Sequence, residues 1–134
     1  LNADTYGKWL DDNAISYVAI AQGPYDWSAT DEVTLVRHGL PYLQAVWSDQ
    51  TWTLYAVTNP RPVIAAPGRV IARDAVSLTV SLPDPGEYVV RLRWSPYLTA
   101  SNGCMRPTGD GWSVIVVEQP GTAKIHGSLT PHHC

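Results

Sequence analysis

The side chains able to do covalent or ligand chemistry in this chain are few and scattered. Cys104 and Cys134 are the only thiols, His126, His132 and His133 lie near the C-terminal end, and carboxylates adjoin only at Asp11-Asp12-Asn13 and at Asp31-Glu32. Two thiols without metal-ligand spacing make a poor zinc site. A last-residue cysteine that can fold back onto a loop instead points to a Cys104–Cys134 disulfide and an oxidising compartment. Closing that loop stabilises the fold by about 3 to 4 kcal/mol in the chain-entropy picture. His132 and His133 are adjacent, so on an extended segment they face opposite ways and only one can meet a given metal. Asp11-Asp12-Asn13 and Asp110 offer oxygens of the kind calcium takes, but neither reaches the six or more ligands required. No metal and no cofactor are expected.

The catalytic patterns are missing as well. The chain has no Gly-x-Ser-x-Gly elbow, no phosphate-cradling glycine loop and no His-Glu-x-x-His. Glu32, Glu87 and Glu118 stand in no apolar setting of the kind that raises the acid of a glycosidase pair, and no catalytic residue is expected. The aromatic inventory says more: six Trp and seven Tyr but no Phe, so every such ring carries a polar handle, a preference seen where a ring is half buried and half wet. Trp94, Tyr97, Arg106 and Trp112 flank one glycine-rich connection and form the candidate ligand site, for a sugar or a partner surface. Trp94 shares the parity of Tyr88, Val90 and Leu92, and Trp112 that of Val114 and Val116. This alternation assigns both indoles to packing and leaves Tyr97 and Arg106 as the more available pair.

The elements that must position these residues follow from periodicity and punctuation. Asn2 or Asp4 can cap a helix carrying Tyr6, Trp9, Leu10 and Ala14, with Asn13 as a left-handed stop. Ile15 to Ile20 then reads as a strand buried on both faces. Ser28 and Asp31 resemble a capping box for a second helix that stops near His38, before Gly39 and Pro41. Leu43–Trp47 and Thr51–Val57 form a hairpin across Ser48-Asp49-Gln50, with Leu43, Ala45 and Trp47 on one face of the first arm and Trp52, Leu54 and Ala56 on one face of the second. Asn59-Pro60-Arg61-Pro62 breaks the pattern. Beyond it the period is two: Val76, Leu78, Val80 and Leu82, then Tyr88 to Trp94, then Trp112 to Val116, then Ala123 to Leu129, with Pro-Gly turns between them. The expected fold is α+β, mainly β. Residues 1–60 form a small α/β lobe packed on an antiparallel β-sandwich, jelly-roll or Ig-like, of residues 61–134, the whole acting as one cooperative unit. Its core is expected to hold Val76, Leu78, Val80, Val90, Leu92 and Val116.

Composition limits the function. At 134 residues, 45% hydrophobic and 16% charged, the chain can bury a real core. A net charge of −3 without any run of bases argues against a nucleic acid partner. Leu1–Leu10 has no basic region leading into an apolar one, and no stretch approaches the ~20 apolar residues of a membrane span, so a soluble chain without a targeting segment is expected.

Several fragments in order carry a resemblance. They are Tyr6-x-x-Trp9-Leu10, Ile15-Ser16-Tyr17-Val18, Gly39-Leu40-Pro41-Tyr42-Leu43, Trp52-x-Leu54-Tyr55-x-Val57, Pro85-Gly86-x-Tyr88, Trp94-Ser95-Pro96-Tyr97, Gly103-Cys104 and Asp110-Gly111-Trp112. Together they resemble the C-terminal extracytoplasmic region of large multi-pass membrane proteins of actinobacteria, mycobacteria included, that are themselves similar to membrane-embedded glycosyltransferases. The resemblance implies a non-catalytic accessory domain on the extracytoplasmic side of the cell membrane, with the transmembrane region of its own parent protein as partner. It carries no catalytic residue onto these positions. The alternative is a carbohydrate-binding module recognising cell-wall glycan.

Overall fold

Asn2 starts helix α1 (Ala3–Asp12) through a reciprocal capping box: its Oδ1 accepts from the Thr5 backbone N–H at 2.9 Å while the Thr5 hydroxyl accepts from the Asn2 N–H at 3.1 Å. The computed structural model describes residues 1–134, which divide into two compact units, Leu1–Arg61 and Pro62–Cys134.

In the first unit, Tyr6 and Leu10 of α1 are buried, whereas Trp9 is half exposed and lies parallel to the Tyr6 ring. Asn13 does not take the expected left-handed conformation. Its backbone N–H and side-chain amide both donate to the Trp9 carbonyl, and the left-handed residue is Ala14 at φ 52°. Strand β1 (Tyr17–Ala21) alternates, with Val18 and Ile20 buried and Tyr17 and Ala19 exposed, which corrects the expectation of burial on both faces. Helix α2 (Trp27–Arg37) begins earlier than expected because Asp26 is the cap. Asp26 Oδ1 accepts from the Ala29 N–H and the Ser28 hydroxyl, so Ser28 supports the cap rather than being it. Strands β2 (Leu43–Ser48) and β3 (Trp52–Val57) form the hairpin, and the sheet runs β1-β3-β2, antiparallel throughout. The core gathers Tyr6, Leu10, Val33 and Val36 from the helices with Val18, Ile20, Tyr55 and Val57 from the sheet. The core face of β3 is therefore the opposite one to Trp52, Leu54 and Ala56. A bulge between Ala45 and Trp47 breaks the expected common face of β2 and sets Trp47 beside Leu54.

The second unit holds seven strands: β4 (Arg69–Arg73), β5 (Ser77–Leu82), β6 (Gly86–Arg93), β7 (Leu98–Ala100), β8 (Cys104–Pro107), β9 (Trp112–Val117) and β10 (Gly121–Gly127). They make two antiparallel sheets, β4-β5-β10-β7 and β6-β9-β8. The chain from Ser77 to Gly127 is thus a nested hairpin, with β5 against β10, β6 against β9, and the tip turning through Ser101-Asn102-Gly103 between β7 and β8. Gly103 has φ +79°, and a Cβ there would run into the Val116 carbonyl, so the tip requires glycine.

One buried cluster draws on both sheets: Leu78, Val80, Leu82, Ala123 and Ile125 from one, Tyr88, Val90, Met105, Ile115 and Val117 from the other. Three expected members differ. Val76 precedes β5 on a turn and is 78% exposed; Leu92 is only partly buried; and on β9 it is Ile115 and Val117, not Val116, that enter the core. The inward register of β9 begins at Ser113, which is wholly buried because its hydroxyl donates to the Leu92 carbonyl at 2.9 Å. A polar residue satisfied in this way hides the true parity. Overall the chain is a mixed α+β fold, predominantly β-strand, with three small antiparallel sheets.

Candidate functional site

The disulfide between Cys104 and Cys134 is present, with Cα atoms 5.1 Å apart and no free cysteine remaining. It fixes the last three residues along β8. The His132 carbonyl accepts from the Met105 N–H at 3.4 Å, the Cys134 N–H donates to the Met105 carbonyl at 3.0 Å, and the His132 N–H donates to the Thr99 hydroxyl. His133 is drawn onto Trp94, ring centroids 5.0 Å apart. Trp94 is partly buried against the core cluster.

Trp112 lies on the other face of its sheet. A bulge between Val90 and Arg93 aligns Arg93 with Trp112, and the guanidinium sits 4.1 Å from the ring centroid, with Arg91 at 5.3 Å. These stems and charges cover the indole, which is buried. Arg106 pairs with Glu87 at 2.6 Å across the same face. Tyr97 is 58% exposed on the turn before β7. The structure therefore sets Arg106 and Trp112 on one face, Trp94 against the core and tail, and Tyr97 apart. The concavity beside the disulfide, lined by Asn102, Gly103, Cys104, Val116, Glu118 and His132 among others, contains none of the four.

A second aromatic surface belongs to the first unit and was not singled out from the sequence. On the face of β1-β3-β2 turned away from the helices, Tyr17 stands in a row with Ala56 and Gln44, Trp47 in a row with Leu54 and Ala19, and Trp52 beside Ala21. Tyr17 is 61%, Trp47 54% and Trp52 45% exposed. The small neighbours Ala19, Ala21 and Ala56 leave the rings open, and no charged residue lies on these rows. The available signal was the run Tyr17 to Ile20, apolar at every position, in a lobe whose two short helices can cover only one sheet face.

Several carboxylates are committed to local structure. Asp49 accepts from the Trp52 and Thr51 N–H groups, Asp74 from the Val76 N–H, and Asp110 from the Thr108 hydroxyl, each held below the usual carboxylate range by those bonds. Tyr6 donates to Glu32 at 2.6 Å, and burial together with that carboxylate pushes the phenol well up. No protein-family model matches this chain, and no curated protein or solved structure matches it either.

Proposed function

We propose that this chain is a non-catalytic accessory domain on the extracytoplasmic side of the cell membrane, part of a larger cell-envelope membrane protein similar to glycosyltransferases. The observation that carries the reading is the Cys104–Cys134 disulfide, which consumes both thiols and straps the tail along β8; such bonds persist in oxidising compartments. The engagement of Asp26, Asp49, Asp74 and Asp110 in turns and caps, and of Glu87 with Arg106, supports a structural rather than a chemical use of the acids. We also read residues 62–134 as a sandwich of the jelly-roll kind. In an Ig-like sandwich the fifth strand lies beside the second. Here the unit's last strand, β10, lies beside its second, β5, and the nested pairs follow the rolled-hairpin logic of a jelly roll.

The test is thiol trapping in intact cells that express the native gene, with a membrane-impermeant alkylating reagent applied before and after reduction, alongside a compartment-sensitive reporter fused behind Cys134. Cysteines blocked until reduction, with a reporter active only outside the membrane, are expected. Free thiols and a cytoplasmic reporter signal would remove the reading. The second reading, a carbohydrate-binding module, is favoured by the open face of Tyr17, Trp47 and Trp52, since sugars stack on exposed aromatic faces. Quenching of tryptophan fluorescence by cell-wall oligosaccharides, lost in Trp47→Ala, is its test.

A further inference from the structure

Residues 62–134 contain a cavity that neither of these readings uses. It opens where β4 turns into β5, has a volume of about 350 Å³, and is floored by Val63, Leu78, Leu92, Leu98 and Ile125. Val63, Leu92 and Leu98 pack on the core yet are only partly buried, so the cavity is an apolar opening into that core. Its rim carries the polar residues Arg73, Asp74, Ser77 and His126 beside the exposed Ala75 and Val76. An adjoining recess shares Ser77 and His126 and adds Lys124.

Arg73 is the informative residue. In a plain ladder continuing from Val70 opposite Val80, Arg73 would fall opposite Ser77, on the outer face. The bulge between Val70 and Ala72 instead aligns Arg73 with Leu78, an inward position. Bulges commonly re-aim a side chain beside a functional site. An inward charge on an edge strand also discourages edge-to-edge pairing, but this one stands at the mouth of an apolar cavity and has no carboxylate partner. The one acid on the rim, Asp74, is turned to the Val76 N–H at 2.8 Å and lies in the field of Lys124. His126 directs Nδ1 to the Gly127 carbonyl, 3.0 Å away. An apolar floor beneath a guanidinium that has no carboxylate partner, beside an acid already engaged by a backbone N–H, matches a ligand with a hydrocarbon tail and an anionic head.

We propose that this cavity binds a single-chain aliphatic carboxylate, its tail between Leu78, Leu92, Leu98 and Ile125 and its head on Arg73. The guanidinium fork can take both carboxylate oxygens. The test is calorimetric titration of the full chain with hexanoate, octanoate and decanoate, with amide shifts followed by NMR. Affinity should tighten about fourfold per added CH₂ until the cavity is full, and shifts should centre on residues 73–78 and 125–127. Arg73→Gln should weaken octanoate at least tenfold and leave octanol unchanged, and Leu98→Trp should block both with the disulfide and melting transition intact. Absence of saturable binding at millimolar octanoate, affinity independent of chain length, or an unaltered Arg73→Gln variant would overturn the proposal. So would sedimentation with anionic phospholipid vesicles in the absence of octanoate binding, which would make the rim a membrane contact.

Discussion

Asp26, Asp49, Asp74 and Asp110 are exposed, yet each carboxyl sits below its usual range because N–H or hydroxyl donors favour the charged form: the Ser28 hydroxyl and Ala29 N–H at Asp26, the Trp52 and Thr51 N–H groups at Asp49, the Val76 N–H at Asp74 and the Thr108 hydroxyl at Asp110. A carboxyl lowered on folding contributes stability that is complete above its unfolded value, about pH 4, and is lost as pH falls through the folded one. Thermal melts should therefore be flat on this account from pH 7 to 5 and fall below about 4. Asp49→Asn, which can still accept from Trp52, should flatten part of that acid limb, whereas Asp49→Ala should lower the melting temperature at every pH. The opposite sign applies to Tyr6, whose phenol is raised first by burial and then by Glu32: its contribution is complete at neutral pH and goes as pH climbs past about 10. The Asn2 cap and the Ser48-Asp49-Gln50 turn were legible in the sequence, whereas the cap of α2 was assigned to Ser28 because Asp26 stands outside the apolar pattern that marks the helix. The cover over Trp112 was not, because it depends on a bulge that brings Arg93 level with the ring, and a bulge leaves no mark in periodicity.

Strand β9 shows why element existence was easier to read than element facing. Trp112, Ser113, Val114, Ile115, Val116 and Val117 are apolar at every position but one, and that one, Ser113, points inward. Ile115→Ala should cost about 2 to 5 kcal/mol because the side chain is wholly buried in the shared core, and Val116→Ala should cost clearly less, as urea unfolding midpoints would register. Equal losses would contradict the observed register. Short β7 and β8 escaped the sequence reading because three and four residues carry too little alternation to register. Their connection is the more constrained part: Gly103→Ala combines a positive φ with a clash against backbone and should destabilise by about 2 to 4 kcal/mol, visible as a lower unfolding midpoint with the disulfide still formed.

At the scale of the whole chain, each unit draws its buried cluster from its own residues, Tyr6 to Leu40 in one and Ile64 to Ile125 in the other. A fragment of residues 62–134 should therefore fold alone and keep its disulfide, checked by amide dispersion in NMR. Collapsed, undispersed spectra would show that its core needs the first lobe. Reduction, or the double change Cys104→Ser and Cys134→Ser, should remove about 3 to 4 kcal/mol and lower the melting temperature by more than about 10 °C. The nested hairpin also orders events in time. Bringing Leu82 to Gly121 directly would close nearly the whole span between them, whereas once β6 lies on β9 only the short connections 83–85 and 118–120 remain to be closed. Assembly should accordingly start at the local β8–β9 hairpin and add β6 to β9, with β5 meeting β10 last. Substitutions in the β8–β9 hairpin should slow folding, and those on β5 and β10 should mainly quicken unfolding.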